Sequence, residues 1–76
     1  MQANKVIRAT TQDCSISLRG VSRAMNRSES FLANYLSTGR IPNLELMAEI
    51  ADATGHDLIV RNRDTGLEIL IDPPER

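Results

Sequence analysis

Apolar residues recur at helical spacing along the first three quarters of the chain, and then the period changes. In "NKVIRATTQD", Val6, Ile7 and Ala9 stand among polar neighbours and predict a short first helix. "CSIS" interrupts the pattern, and Ser15 or Ser17 is placed to cap the second helix. Leu18, Val21 and Met25 fall at i, i+3 and i+7, one stripe of that helix. Gly20 weakens it by about 1 kcal/mol relative to alanine. Asn26 closes it, because asparagine tolerates left-handed backbone. Ser28 is the expected N-cap of a third helix, with Glu29 favoured in its first turn by the helix dipole. Phe31, Leu32, Tyr35 and Leu36 make the apolar side of this helix, and Gly39 ends it. Pro42 keeps Ile41 extended. Asn43 caps a fourth helix with Leu44, Met47, Ala48, Ile50 and Ala51 as its stripe, and Gly55 stops it.

In "DLIVRNRDTGLEILID" the period becomes two. Leu58 and Val60 alternate with Ile59 and Arg61; after "RDTG", Leu67, Ile69 and Ile71 alternate with Glu68 and Leu70. Two alternating runs joined by a glycine-containing turn predict a β-hairpin, which Pro73 and Pro74 end. The expected fold is mainly α, four to five helices followed by a C-terminal hairpin. The division is residues 1–56 for the helical domain, 57–72 for the hairpin and 73–76 for a flexible tail.

Length and composition narrow the function. A chain of 76 residues is one domain at most, and at this size folding buries only about 60% of the surface of the unfolded chain. One cysteine, Cys14, and one histidine, His56, leave neither a disulfide framework nor a four-ligand zinc site to reinforce it. Self-association is then a natural source of extra stability. A single thiol suits a reducing cytoplasm. No run approaches the ~20 apolar residues of a membrane span, and "MQANKVIRATTQDC" lacks the apolar core of a signal peptide. The expected location is cytoplasmic, with no membrane partner. His56 beside Asp57 has no accompanying nucleophile, and no glycine-rich phosphate loop occurs, so neither an enzyme nor a cofactor is expected. The net charge of −1 is uneven: residues 1–43 hold six cations against two acids, residues 44–76 three cations against eight acids. That split suits one face turned to a polyanion and another turned away. Scattered solvating charge is the plain alternative.

Helices two and three are separated only by "NRS", which forces a sharp angle between them, as in helix-turn-helix proteins whose second helix enters the DNA major groove, although a plain helical hairpin can have similar spacing. The stretch "ISLRGVSRAMNRSESFLANYLSTGRIPNLELMAEIADATG" resembles the Cro/phage-repressor (XRE-type) helix-turn-helix family, and the resemblance covers roughly residues 4 to 56. Its tail, "GRIPNLELMAEIADATG", matches the pattern best. Three positions depart from that pattern: Leu18 stands where a phosphate-touching Gln opens helix two, Ser22 where a small Ala is usual, and Asn26 where the turn Gly is usual. The resemblance implies a lambda-repressor-like fold with a recognition helix at residues 28–37. It places Ser28, Glu29, Ser30 and Asn34 at base edges, Phe31 at the groove margin against a thymine methyl, and Arg40 in the loop that contacts DNA. Asn suits adenine, and Glu can accept from the cytosine amino group. Several have a plainer role: Ser28 as a cap, Glu29 as a dipole partner or as an orienter of Arg27 or Arg40, Phe31 packed on Tyr35, and Arg40 as a solvated surface arginine. Arg19, Arg23, Arg27, Ser37, Thr38 and Asn43 are phosphate candidates, since such contacts need only cations, hydroxyls, amides or helix N-termini.

The hairpin is surplus to DNA reading. An isolated two-stranded sheet is marginal and leaves open edges, so Leu58, Ile59, Val60, Leu67, Ile69, Leu70 and Ile71 are expected to pair with a second copy. A homodimer also suits half-sites that repeat one DNA turn apart. The expected function is a dimeric, sequence-specific regulator of transcription bound to double-stranded DNA, in the manner of a phage or mobile-element repressor. The competing reading is an antitoxin or inhibitor that grips a protein partner, such as a toxin or effector, through the hairpin. Single-stranded nucleic acid would have only two aromatic residues on which to stack.

Overall fold

Four helices followed by a two-stranded antiparallel hairpin make up the protein, as a computed structural model describes it over residues 1–74. A single 3-10 turn, Ala3–Lys5, leads into α1 (Val6–Cys14). Then come α2 (Leu18–Ala24), α3 (Phe31–Ser37), α4 (Leu44–Ala53), β1 (Leu58–Arg61) and β2 (Glu68–Ile71). The core comprises Ile7, Val21, Met25, Leu32, Leu46 and Ile50, with Cys14, Leu18, Phe31, Tyr35, Leu36 and Ala53 packed around them.

Local chemistry sets the helix ends. Ser15 takes left-handed backbone (φ 60°) and ends α1, while Ser17 caps α2 by accepting the Gly20 amide at 3.1 Å. Asn26, also left-handed at φ 60°, ends α2 in a Schellman motif: its amide donates to the Arg23 carbonyl at 3.0 Å and the Arg27 amide to the Ser22 carbonyl at 3.1 Å. Gly55 ends α4 in the same way, with the His56 amide donating to the Ala51 carbonyl at 2.8 Å. Asn43 caps α4 through its side-chain oxygen, 2.8 Å from the Leu46 amide.

Two expectations need correction. The third helix begins at Phe31, not at Ser28, and neither the Ser28 nor the Ser30 side chain caps it. Ser28–Ser30 form a turn instead, closed by the Phe31 amide on the Ser28 carbonyl at 3.0 Å. The cap comes from the neighbouring helix. Ser22, fully buried, uses its hydroxyl to donate to the Leu18 carbonyl at 2.8 Å and to accept the Leu32 amide at 3.2 Å. One of the orphan donors of the α3 N-terminus is satisfied across the helix-helix contact. The buried stripe of α4 is also shifted in phase. Leu46 is buried and Leu44 is exposed, because Leu46 lies one turn from Ile50 on the inward side.

The hairpin pairs Leu58 with Ile71, Ile59 with Leu70, Val60 with Ile69 and Arg61 with Glu68. Its loop is built on Asn62, whose side-chain oxygen accepts the Asp64 and Thr65 amides at 2.9 and 3.2 Å, while Gly66 supplies the positive φ of 77°. Only Leu58 and Ile71, at the base by α4, are half-buried; Ile59, Val60, Leu67, Ile69 and Leu70 are 43–63% exposed. The molecule is correspondingly long, 40 × 25 × 22 Å. Its radius of gyration is 12.8 Å, against about 11 Å for a rounded chain of this length. Of the expected tail, Pro73 and Pro74 are half-buried, and Glu75 and Arg76 lie outside the described residues. No helix among the described residues is long and apolar enough to cross a membrane.

Candidate nucleic-acid interface

The inner side of α3 is fixed by packing. Leu32 is fully buried and Leu36 half-buried, and Tyr35 donates its hydroxyl to the Ile41 carbonyl at 3.3 Å, tying the helix to the loop after it. The other side is open. Ser28, Phe31, Asn34, Tyr35, Thr38 and Arg40 line one shallow cleft, so five residues expected at DNA meet around a common surface. Among the described residues, Arg40 has no ion-pair partner, which leaves its guanidinium available to a ligand anion. Asn34 lies in the middle of the exposed side, its amide nitrogen 3.4 Å from the Ser30 hydroxyl. Ser37 and Thr38 turn their hydroxyls back on their own helix, donating to the Asn34 and Tyr35 carbonyls at 2.8 and 2.7 Å. To donate to a phosphate they would have to rotate away from those carbonyls. Asn43 has its side-chain oxygen committed to capping α4, which leaves its amide nitrogen as the donor.

The aromatic pair does not divide into an inner and an outer ring. The rings of Phe31 and Tyr35 lie 6.0 Å apart, tilted by 37°, and both are half-buried. Phe31 packs on the edge of the core and carries a contact invisible in the sequence: the Arg27 guanidinium lies 4.4 Å above its ring. The same guanidinium reaches both carboxylate oxygens of Glu49 on α4 at 3.3 Å. Arg27, expected at a phosphate, thus pins the α2–α3 turn to α4. The Glu49 side chain is only 13% exposed, against 39% for Arg27, so the two are not equivalent. Arg27→Ala strands a largely buried carboxylate and is expected to cost about 1–2 kcal/mol, once partial exposure is discounted. Glu49→Gln leaves the arginine access to water and should cost less. Urea denaturation midpoints of the two variants measure this order directly.

The remaining two arginines share an acid. Glu29 does not orient Arg27 or Arg40; it lies 3.5 Å from Arg23 and 4.0 Å from Arg19, both on the solvent side of α2. The structure also takes His56 away from its sequence neighbour Asp57. Its Nε2 is 2.7 Å from Asp13 on α1, and its Nδ1 is 2.9 Å from the Thr54 hydroxyl. Thr, His and Asp in series have the order of a hydrolytic triad. The Thr54 hydroxyl, however, is buried and lies 2.7 Å from the Ile50 carbonyl as its donor, turned into its own helix. What this arrangement does is strap the end of α4 to the end of α1. The roles of Ser22, Tyr35 and Glu49 were missed in the sequence. The one available signal was that Ser22 departs from the helix-turn-helix pattern the sequence resembles, where a small Ala is usual. Comparison of the chain with protein-family models, curated proteins and solved structures finds no match.

Proposed function

We infer that this protein is a sequence-specific double-stranded DNA-binding regulator with a lambda-repressor-like helix-turn-helix fold, acting as a homodimer. The observation that carries this reading is the outer side of α3. A helix held by a buried Leu32 and the loop that follows it present Asn34, Thr38 and Arg40 on one open cleft, with Arg19 and Arg23 exposed beside its leading turn. Amide and hydroxyl groups between cations are what base edges flanked by phosphates require. The helix entering the groove is Phe31–Ser37, preceded by a turn that carries Ser28, Glu29 and Ser30. Arg27 is left out of the contact set, because Glu49 and Phe31 hold it.

Selection of bound sites from random duplex, combined with two substitutions, tests the reading. Arg40→Ala is expected to weaken binding to all sequences alike and to lower the salt slope by about one. Asn34→Ala is expected to change the preferred sequence, with about 1–3 kcal/mol of discrimination lost at one position. Unchanged binding in both variants would remove α3 from the interface. The exposed apolar hairpin favours the second reading, an antitoxin- or inhibitor-type module, and no duplex binding at low salt would select it.

A further inference from the structure

We propose that Glu29 is a specificity gate that withholds Arg19 and Arg23 from DNA phosphates until the leading turn of α3 meets suitable bases. This rests on the DNA-binding reading above. Arg19 and Arg23 are one turn apart on α2, a spacing at which like charges repel. The Glu29 carboxylate reaches across from the turn before α3 and serves both, one oxygen 3.5 Å from Arg23 and the other 4.0 Å from Arg19. All three side chains are more than half exposed, so this triplet adds little to folding. Its distances are long for ion pairs. A phosphate, offering several oxygens at hydrogen-bonding distance, can displace the carboxylate from both guanidinium groups.

The displaced carboxylate decides the outcome. It is then an unpaired anion next to a polyanion, on the same turn that leads into α3. The N4 amino group of cytosine or the N6 amino group of adenine can donate to it in the major groove, whereas the O6 and N7 of guanine and the O4 of thymine present only acceptors. Where a donor lies opposite, all three side chains are satisfied. Where none does, Glu29 repels the duplex or takes the arginines back. Glu29 therefore lowers affinity for unmatched DNA more than for matched DNA.

The test is a salt titration of wild-type protein, Glu29→Gln and the Arg19→Gln/Arg23→Gln pair made in each of those backgrounds. Each is measured on a selected duplex and on a random one. Glu29→Gln is expected to steepen the log–log salt slope on random duplex by about one and to tighten that binding roughly tenfold at ~0.1 M salt. Binding to the selected duplex should change less, so the ratio between the two narrows. On random duplex, removing both arginines should cost more in the Glu29→Gln background than in the wild type, because there the carboxylate no longer holds them back. Equal slopes for wild type and Glu29→Gln on random duplex, with wild type binding normally, would overturn the gate and leave the DNA reading intact. Absence of any duplex binding by wild type at low salt would overturn both.

Discussion

Val60→Lys combined with Ile69→Lys is expected to leave a folded monomer of 8.4 kDa, where the proposed wild-type dimer would sediment at twice that mass. The two residues face each other across the hairpin and are 56% and 55% exposed. Neither belongs to the helical core, so helical circular dichroism should be retained. Two facing lysines repel each other and place charge in any apolar seam made with a second hairpin. A dimer that holds two reading helices converts the second contact into an intramolecular one, which commonly adds roughly 10²- to 10⁴-fold in affinity. The double variant should therefore bind a two-half-site duplex more weakly by a factor of that order, while its affinity for a single half-site stays near the wild-type value. Sedimentation equilibrium at tens of micromolar decides it: a wild-type protein already monomeric there would remove the dimer from the proposal.

The second large effect is expected at Ser22. Replacing it with Ala keeps the helix former and removes the hydroxyl that accepts the Leu32 amide. That amide is buried, and an unpaired buried donor costs about 1–3 kcal/mol. For a chain of this length total stability is roughly 4–11 kcal/mol, so the melting temperature should drop by roughly 10 °C. Ser22→Cys, nearly the same size but a weak acceptor, should fall with Ala rather than with the wild type. Matching melting curves for Ser22→Cys and wild type would mean that volume, not the hydrogen bond, matters at this position.

Legibility in the sequence divides along the same line, between local and long-range contacts. Helix ends set by one residue's own backbone or side chain were legible: Ser17, Asn26, Asn43 and Gly55 each stop or cap a helix by contacts within a few residues. The hairpin was legible too, because its alternation and its Asn62–Gly66 loop are local. The start of α3 was not. Ser28 looked like a cap by composition, but the donor that needed capping found Ser22, ten positions earlier, across a packed interface. The α4 stripe was misjudged by phase, since Leu44 and Leu46 are equally apolar and only packing on Ile50 separates them. At the candidate site the exposed positions of α3 matched their periodicity. The pairing of Arg27 with Glu49 spans 22 positions and that of Asp13 with His56 spans 43, so neither leaves a trace in local spacing.

The strap at His56 has a mechanical consequence. β1 begins two residues after that imidazole, and the hairpin otherwise meets the helices only at its base. The hairpin projects from a base where Leu58 and Ile71 meet α4, directly after the imidazole held between Asp13 and Thr54. A small rotation there is multiplied by the hairpin's length into a larger displacement at its tip. In a dimer joined by hairpins, the spacing between the two reading helices would depend on that base, although His56 itself lies outside both surfaces. DNA half-sites recur about every 34–36 Å along one face of the duplex. A change at His56 or Asp13 would then appear as a changed tolerance for the number of base pairs between half-sites, with the sequence read within each half-site unaltered.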